Sequence, residues 1–241
     1  MTRYLDIRRR AGWHKARPLS WTIVTIGVVA ATSGCTTTVA GQQEPGAAAR
    51  AAVDLEGVLL TGAEVDAAMG ASGMAADTTK STLVDDSAYT TPIDCLAVSS
   101  MGQEQVYAGT NWTSARMQSV HEPGEDYAHL AHQAVIEFPD APAAAAFLSM
   151  STRKWPSCAP GRYTYSPGGG QAATVWDVGP AVQKNNILSV TVTEHDSDSW
   201  ACQRALTAAL NIVVDVLTCS AAPGDSAAAV AGRIADKVTG Q

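Results

Sequence analysis

The sequence predicts an α+β fold: a single domain with a central, mainly antiparallel, twisted sheet flanked by helices and held by two disulfides. Three observations carry this. Alternating apolar and polar stretches follow one another through the second half of the 241 residues, with helical stretches set between and after them. Trp200-Ala-Cys202-Gln-Arg204-Ala-Leu206 and Ile212-Val-Val214-Asp215-Val216-Leu217-Thr-Cys219 read as two strands, each with a cysteine at its outer end. The five cysteines, an odd number, become an even set of four once one of them serves another purpose. No internal repeat and no second-domain boundary interrupts the pattern.

The first 34 residues are read separately. Arg3, Arg8, Arg9, Arg10, Lys15 and Arg17 face a single acid, Asp6, and an uncharged apolar run from Trp21 to Ala31 follows, then Thr32-Ser33-Gly34-Cys35. This is the basic, apolar and small-residue order of an export signal. A cysteine directly after Ser-Gly resembles the bacterial lipobox, with Thr32 standing where leucine is usual. The reading is a lipoprotein-type signal peptide over 1–34, a lipidated Cys35 (palmitate) and a flexible tether over 35–54, rich in Thr, Gly, Gln, Ala and Pro. The folded domain then covers 55–241. Two alternatives are an uncleaved N-terminal membrane anchor, since the uncharged stretch from Leu19 to Gly41 reaches the roughly 20 residues a span needs, and simple secretion. All three place the remainder outside the cytoplasm.

Charge divides the same way. Six of the 16 basic residues but one of the 23 acids lie in 1–34, so 35–241 carries 10 basic and 22 acidic residues, a net of −12. An acidic domain is a poor partner for nucleic acid or anionic lipid surfaces. With Cys35 set aside, Cys95, Cys158, Cys202 and Cys219 allow three pairings. Spacing favours Cys202 with Cys219 as a hairpin staple, leaving Cys95 with Cys158. No C-x-x-C pair suggests a zinc site.

Along the chain, Thr61-Gly-Ala-Glu64 is a capping box, and the helix Gly62–Met69 ends at Gly70. Residues 71–94 are polar and irregular. Pro92 to Leu96 leads into a short helical or extended piece ending near Tyr107. Strands follow at Trp112–Val120 and Tyr127–Phe138, joined by a turn over 121–126. Asp140 caps a helix with Pro142 in its first turn, which stops before Trp155-Pro156. Short strands at Arg162–Tyr165 and Thr174–Val178 flank Gly168-Gly-Gly170, and a stronger strand covers Ile187–Thr193. In the closing hairpin Cys202 faces Cys219, the turn falls at Leu210-Asn211, and Arg204 and Asp215 are diagonal neighbours on one face. Leu-Asn lacks the glycine such a turn prefers, so a longer loop or a shifted register stays open. A last helix follows Pro223, with Ala227–Val230 and Ile234–Val238 as its apolar stripe.

Several of these residues carry a family. Leu59-Leu-Thr-Gly-Ala-Glu64 with Met69-Gly70, Asp94-Cys95-Leu-Ala-Val98, Val106-Tyr-Ala-Gly109 before Trp112, Trp155-Pro-Ser-Cys158 and Trp200-Ala-Cys202-Gln-Arg204-Ala-Leu206 resemble the extracellular sensor domain of the mycobacterial Ser/Thr protein kinase PknH and related lipoproteins. The resemblance runs from about Val58 to Val238. It implies an α+β domain with a central antiparallel sheet, the pairings Cys95–Cys158 and Cys202–Cys219, and a surface cleft for an unidentified ligand. The family supplies no catalytic residues to carry over. Within this sequence there is no glycine-rich phosphate loop followed by a strand lysine and no H-R-D loop.

Chemistry-bearing clusters are sparse. His121, His129 and His132 lie near Glu122, Glu125 and Asp126, but on a strand His129 and His132 would point to opposite faces, against a metal site. Glu194, Asp196 and Asp198 alternate as calcium ligands can, yet lack the glycine and terminal glutamate of an EF-hand loop. No G-x-S-x-G and no H-E-x-x-H occurs. Trp112, Trp155, Trp176 and Trp200 could line a cleft or fill a core; those beside cysteines, Trp155 and Trp200, suit the core. The expectation is a non-enzymatic, cofactor-free, membrane-anchored domain binding a small envelope ligand or a partner protein. An envelope enzyme with a dispersed triad and a structural or interaction protein are the alternatives.

Overall fold

Strands Ala201–Ala209 and Ile212–Ser220 are buried on both faces along almost their whole length, so the sheet needs covering on both sides. Helices supply that cover, which gives three layers. The protein is described by a computed structural model covering residues 53–124, 126–196 and 200–241. The signal peptide, Cys35 and the tether as far as Ala52 lie outside the described residues, as do Glu125 and Asp198.

Among the described residues, α1 (Gly62–Met69) is followed by the short strands β1 (Ala75–Ala76) and β2 (Thr90–Thr91) and by α2 (Leu96–Ser99) and α3 (Glu104–Tyr107). Then come β3 (Ser114–His121), β4 (Leu130–Glu137), α4 (Ala141–Lys154), β5 (Gly161–Tyr165), β6 (Thr174–Val178), β7 (Val182–Lys184), β8 (Ile187–Glu194), β9 (Ala201–Ala209), β10 (Ile212–Ser220) and α5 (Ser226–Thr239). They form one sheet in the order β1-β3-β4-β10-β9-β8-β6-β5-β2, with β7 beside β8 and all these strand pairings antiparallel.

Period-two alternation assigns the faces. Val135, Ala205, Val214 and Val216 meet α5 through Ala227, Val230 and Ile234, with Val65 of α1 in the same cluster. Leu130, Leu206, Val213 and Leu217 meet α4 through Ala144, Phe147 and Leu148, together with Trp155 and Tyr107. Buried amides tie helices and N-terminal chain to the sheet. Gln133 accepts from the Leu60 N–H (2.8 Å) and donates to the Leu60 carbonyl (2.7 Å). Gln203 Oε1 accepts from the Ala228 N–H at 3.1 Å and its Nε2 donates to Asp225, supplying α5 with a cap from across the layer.

The closing hairpin keeps the expected register, with Cys202 opposite Cys219, and the two-residue turn. The missing glycine shows as a cost in conformation: Leu210 sits at φ 54°, a region non-glycine residues seldom occupy. The turn is tied to the end of β4, where the Phe138 N–H donates to the Asn211 carbonyl and Asn211 Nδ2 donates to the Phe138 carbonyl. Strand β7, absent from the sequence reading, is the first arm of a second hairpin. Its turn residues Asn185 and Asn186 take φ 50° and 62°, the left-handed pair that Asn tolerates in a tight turn. Strand β4 begins at Leu130, not Tyr127, and α4 runs on to Lys154.

The capping box on α1 forms as expected, and Glu64 does further work. Its carboxylate receives the Lys237 ammonium of α5 at 2.8 Å. That hydrogen bond, followed by those from Thr61, holds the Glu64 pKa down at about 2 against an ordinary 4.5. A depressed acid pKa stabilises the fold above pH 4.5, and the contribution is lost as pH falls towards 2. Glu64→Gln is therefore expected to destabilise the protein at pH 7 by about 1 kcal/mol or less, given the exposed setting. The gap between the two proteins in urea titrations should close between pH 4.5 and 2; a gap unchanged at pH 2.5 would contradict this assignment.

Candidate functional site

The cysteines fall into two disulfides, Cys95–Cys158 and Cys202–Cys219. Between them lies a buried polar hub. Arg204 on β9 and Asp215 on β10, each about 2% exposed, form an ion pair through Nη1 and Oδ1. The other Asp215 oxygen accepts from the Gly102 N–H at 2.9 Å and the Tyr107 hydroxyl at 3.0 Å. Arg204 donates further to the carbonyls of Val216 (2.8 Å) and Ala97 (3.2 Å), and its guanidinium lies 5.5 Å from the Trp155 ring centre. Burial, then the Asp215 charge, pushes the Tyr107 hydroxyl pKa well above its usual value, so Tyr107 stays a donor. The hub joins the sheet to the layer of short helices above it, and both oxygens of its acid are engaged within the protein.

The histidines separate instead of converging. His129 precedes β4 and binds Glu122 through both its N–H (2.9 Å) and its Nδ1 (2.6 Å). Burial opposes ionisation of Glu122, but these two bonds outweigh it and hold its pKa below the usual carboxylate value. His121 Nε2 lies 3.5 Å from Asp77 and its ring packs on Tyr127. His132 Nδ1 is 2.9 Å from Ser119 Oγ. That serine–histidine contact follows from the register, because Ser119 and His132 are directly paired across β3 and β4. Among the described residues no group of three or more His, Cys, Asp or Glu is placed to hold a metal ion. At the start of the acidic turn, His195 joins Arg162 of β5 in binding Asp177 of β6, at 2.7 and 2.6 Å, and together they lower its pKa.

Of the tryptophans, Trp155 and Trp176 are buried, and Trp176 lies parallel to Tyr163 with ring centres 6.2 Å apart. Trp112 and Trp200 are half-buried against the same cluster. None of the four lines the groove described next, and sequence reasoning marked none of the residues that do.

An open groove of about 450 Å³ runs along one side of α4. One wall is the helix stripe Ala141, Ala145, Leu148, Thr152, flanked by Ser149 and Arg153; the other is Gln183 of β7, Asn186 of the β7–β8 turn, Ala208 of β9 and Leu210 of the β9–β10 turn. The groove exists because the α4 stripe is small: alanine spaced four residues apart leaves room where a leucine would fill it. Two tight turns with left-handed residues, Asn186 and Leu210, set the height of the opposite wall. Its size falls in the range usual for small-molecule sites, about 300–1,000 Å³.

An antiparallel sheet covered on both faces and joined by two disulfides defines a disulfide-stabilised α+β domain of the kind suited to an oxidising, extracytoplasmic setting. Residues 50–237 match the family model described as the PknH-like extracellular domain, and the chain belongs to that family. It is 36% identical over 186 residues to the serine/threonine-protein kinase PknH of Mycobacterium bovis, and to the same kinase of Mycobacterium tuberculosis, covering 76% of this chain. The chain spans only 30% and 29% of the length of those two relatives. It also resembles the crystal structure of the extracellular domain of PknH from Mycobacterium tuberculosis, with a TM-score of 0.72 and 32% identity, over 78% of this chain and 95% of that one. Among the described residues, no helix is long and apolar enough to cross a membrane.

Proposed function

We propose that this chain is a membrane-anchored, extracytoplasmic lipoprotein whose non-catalytic, sensor-like domain binds a small cell-envelope ligand or a partner protein. The observation that carries the reading is where the similarity falls: it covers nearly all of a crystallised extracellular domain but under a third of the kinase that bears it. What this chain shares with the kinase is thus its outward-facing part. The groove along α4 is the place for a ligand, and the fully satisfied acid of the hub argues for a structural role there.

Attachment through Cys35 would hold the domain at the outer face of the membrane on the tether of 35–54. In cells grown with an alkyne fatty acid, the wild-type chain is expected to take up label and Cys35→Ala to lose it and keep its leader. Equal labelling of the two would refute the anchor.

Ligand binding is tested by thermal shift of the purified protein against fractionated envelope extract. A ligand at 100 times its Kd adds about 2.7 kcal/mol to stability, which raises Tm measurably. No shift with any fraction, together with no protein captured by crosslinking in cells, would remove both arms of the reading.

A further inference from the structure

The walls of the α4 groove differ in what they offer to a ligand. Five lining residues, Ala141, Ala145, Leu148, Ala208 and Leu210, are apolar. The polar ones are largely engaged within the protein: Thr152 Oγ1 donates to the Leu148 carbonyl at 3.0 Å, and Asn186 Nδ2 donates to the Ala208 carbonyl at 3.3 Å. Arg153 is the exception. It is exposed, its Nη1 donates to Ser149 Oγ at 2.7 Å, and among the described residues no carboxylate pairs with it. A guanidinium carries five N–H donors, so most remain available at the mouth of the groove.

Charge gives the groove a direction. Arg153 and Lys154 close the helix at one end, and Lys184 follows the lining residue Gln183 on β7. At the other end stand Asp140, the N-cap, and Glu137, which accepts from Asn211 beside Leu210. A basic end on a domain of net negative charge is a local reversal that favours an anion there. From Ala141 to Thr152 the helix rises about 16 Å at 1.5 Å per residue, so the apolar part suits a chain and not a compact ring.

We propose that this groove binds a single-chain amphiphile with a terminal carboxylate or phosphate, its alkyl chain along the alanine stripe and Leu210 and its anionic head on Arg153. The proposal rests on the ligand-binding reading above and gives that ligand a chemical class.

The test is photolabelling of the full chain, in mild nonionic detergent, with a twelve-carbon carboxylate bearing a diazirine and an alkyne. Label is expected on peptides from α4 or the β7–β8 turn, and dodecanoate or dodecyl phosphate should compete where dodecanol does not; the better competitor identifies the head group. Arg153→Gln should reduce labelling about tenfold, the scale of one charge-assisted hydrogen bond. Ala145→Trp fills the groove from an exposed position and should reduce labelling to background with an unchanged Tm, whereas the exposed, non-lining Ala146→Trp should label as wild type. Labelling that survives Ala145→Trp, label mapped elsewhere, no specific label, or dodecanol competing as well as dodecanoate would overturn the proposal. An envelope fraction that still shifts Ala145→Trp would overturn this proposal and leave ligand binding standing; absence of any shift in the wild type would remove the reading beneath it.

Discussion

Asp215→Ala is expected to destabilise the domain by about 3–5 kcal/mol, the cost usual for removing one partner of a buried ion pair. The cause is what stays behind. Arg204 would be a cation about 2% exposed with no counter-charge, its Nε already without a partner, and the Gly102 N–H and Tyr107 hydroxyl would lose their acceptor. Domains of this size have about 5–15 kcal/mol in all, so the variant should populate unfolded chain under mild urea. Arg204→Met is expected to be comparably harmful, since it strands the carboxylate. The double variant, Arg204→Met with Asp215→Ala, should cost clearly less than the two singles added together, because no charge is left buried. Urea unfolding of the four proteins, disulfides intact, measures this coupling. Additive effects would mean that the pair is not a unit, and a mild Asp215→Ala would mean that water reaches the hub.

The ion pair shows what was legible. Alternation placed Arg204 and Asp215 on one face, diagonal across the hairpin, which is geometry internal to two adjacent strands. Their other partners, Ala97, Gly102 and Tyr107, are about 107–113 residues away in sequence, and local pattern carries no information at that range. The same division holds elsewhere. Thr61-x-x-Glu64 and Asp140 with Pro142 announced their helix starts, because capping is settled within four residues. The Lys237 contact that depresses the Glu64 pKa spans 173 residues and left no local trace. Strand β7 is short and exposed at all three positions, so it has no alternation to detect; the Asn185-Asn186 pair was its one available signal.

The candidate site was illegible for a further reason. Grooves are made where side chains are missing, and Ala141, Ala145 and Ala208 read in sequence simply as helix formers and small strand residues. Their meaning emerges only when α4 is laid across β9 beside the β7–β8 turn. Arg153 carries no local mark of a site: it is a cation in the last turn of α4, a position that favours positive charge in any protein. The three histidines that did attract attention do not converge, because each meets a different partner: His121 meets Asp77, His129 Glu122 and His132 Ser119.

Removal of Cys95–Cys158 as the double alanine variant is expected to cost about 4 kcal/mol, and removal of Cys202–Cys219 about 3 kcal/mol. The order follows from loop length: the first closes a separation of 63 residues and the second one of 17, and unfolded-state entropy grows with the logarithm of the loop. The folded state widens the difference. Cys202 and Cys219 face each other in a hairpin already held by its ladder and a two-residue turn, so the strands stay paired without the bond. Cys95 and Cys158 join the short helix before α2 to the turn after α4, two segments outside the strands, next to a β2–β5 pairing that is only two residues long. That junction also carries Trp155 and the Ala97 carbonyl, both in contact with Arg204. Loss of the first disulfide should therefore weaken the hub as well, so combining it with Asp215→Ala should cost less than the sum of the separate effects. Urea titrations of the variants measure both quantities. A larger loss from the hairpin disulfide would invert the order, and strict additivity with Asp215→Ala would show that bond and hub stabilise the helical layer independently.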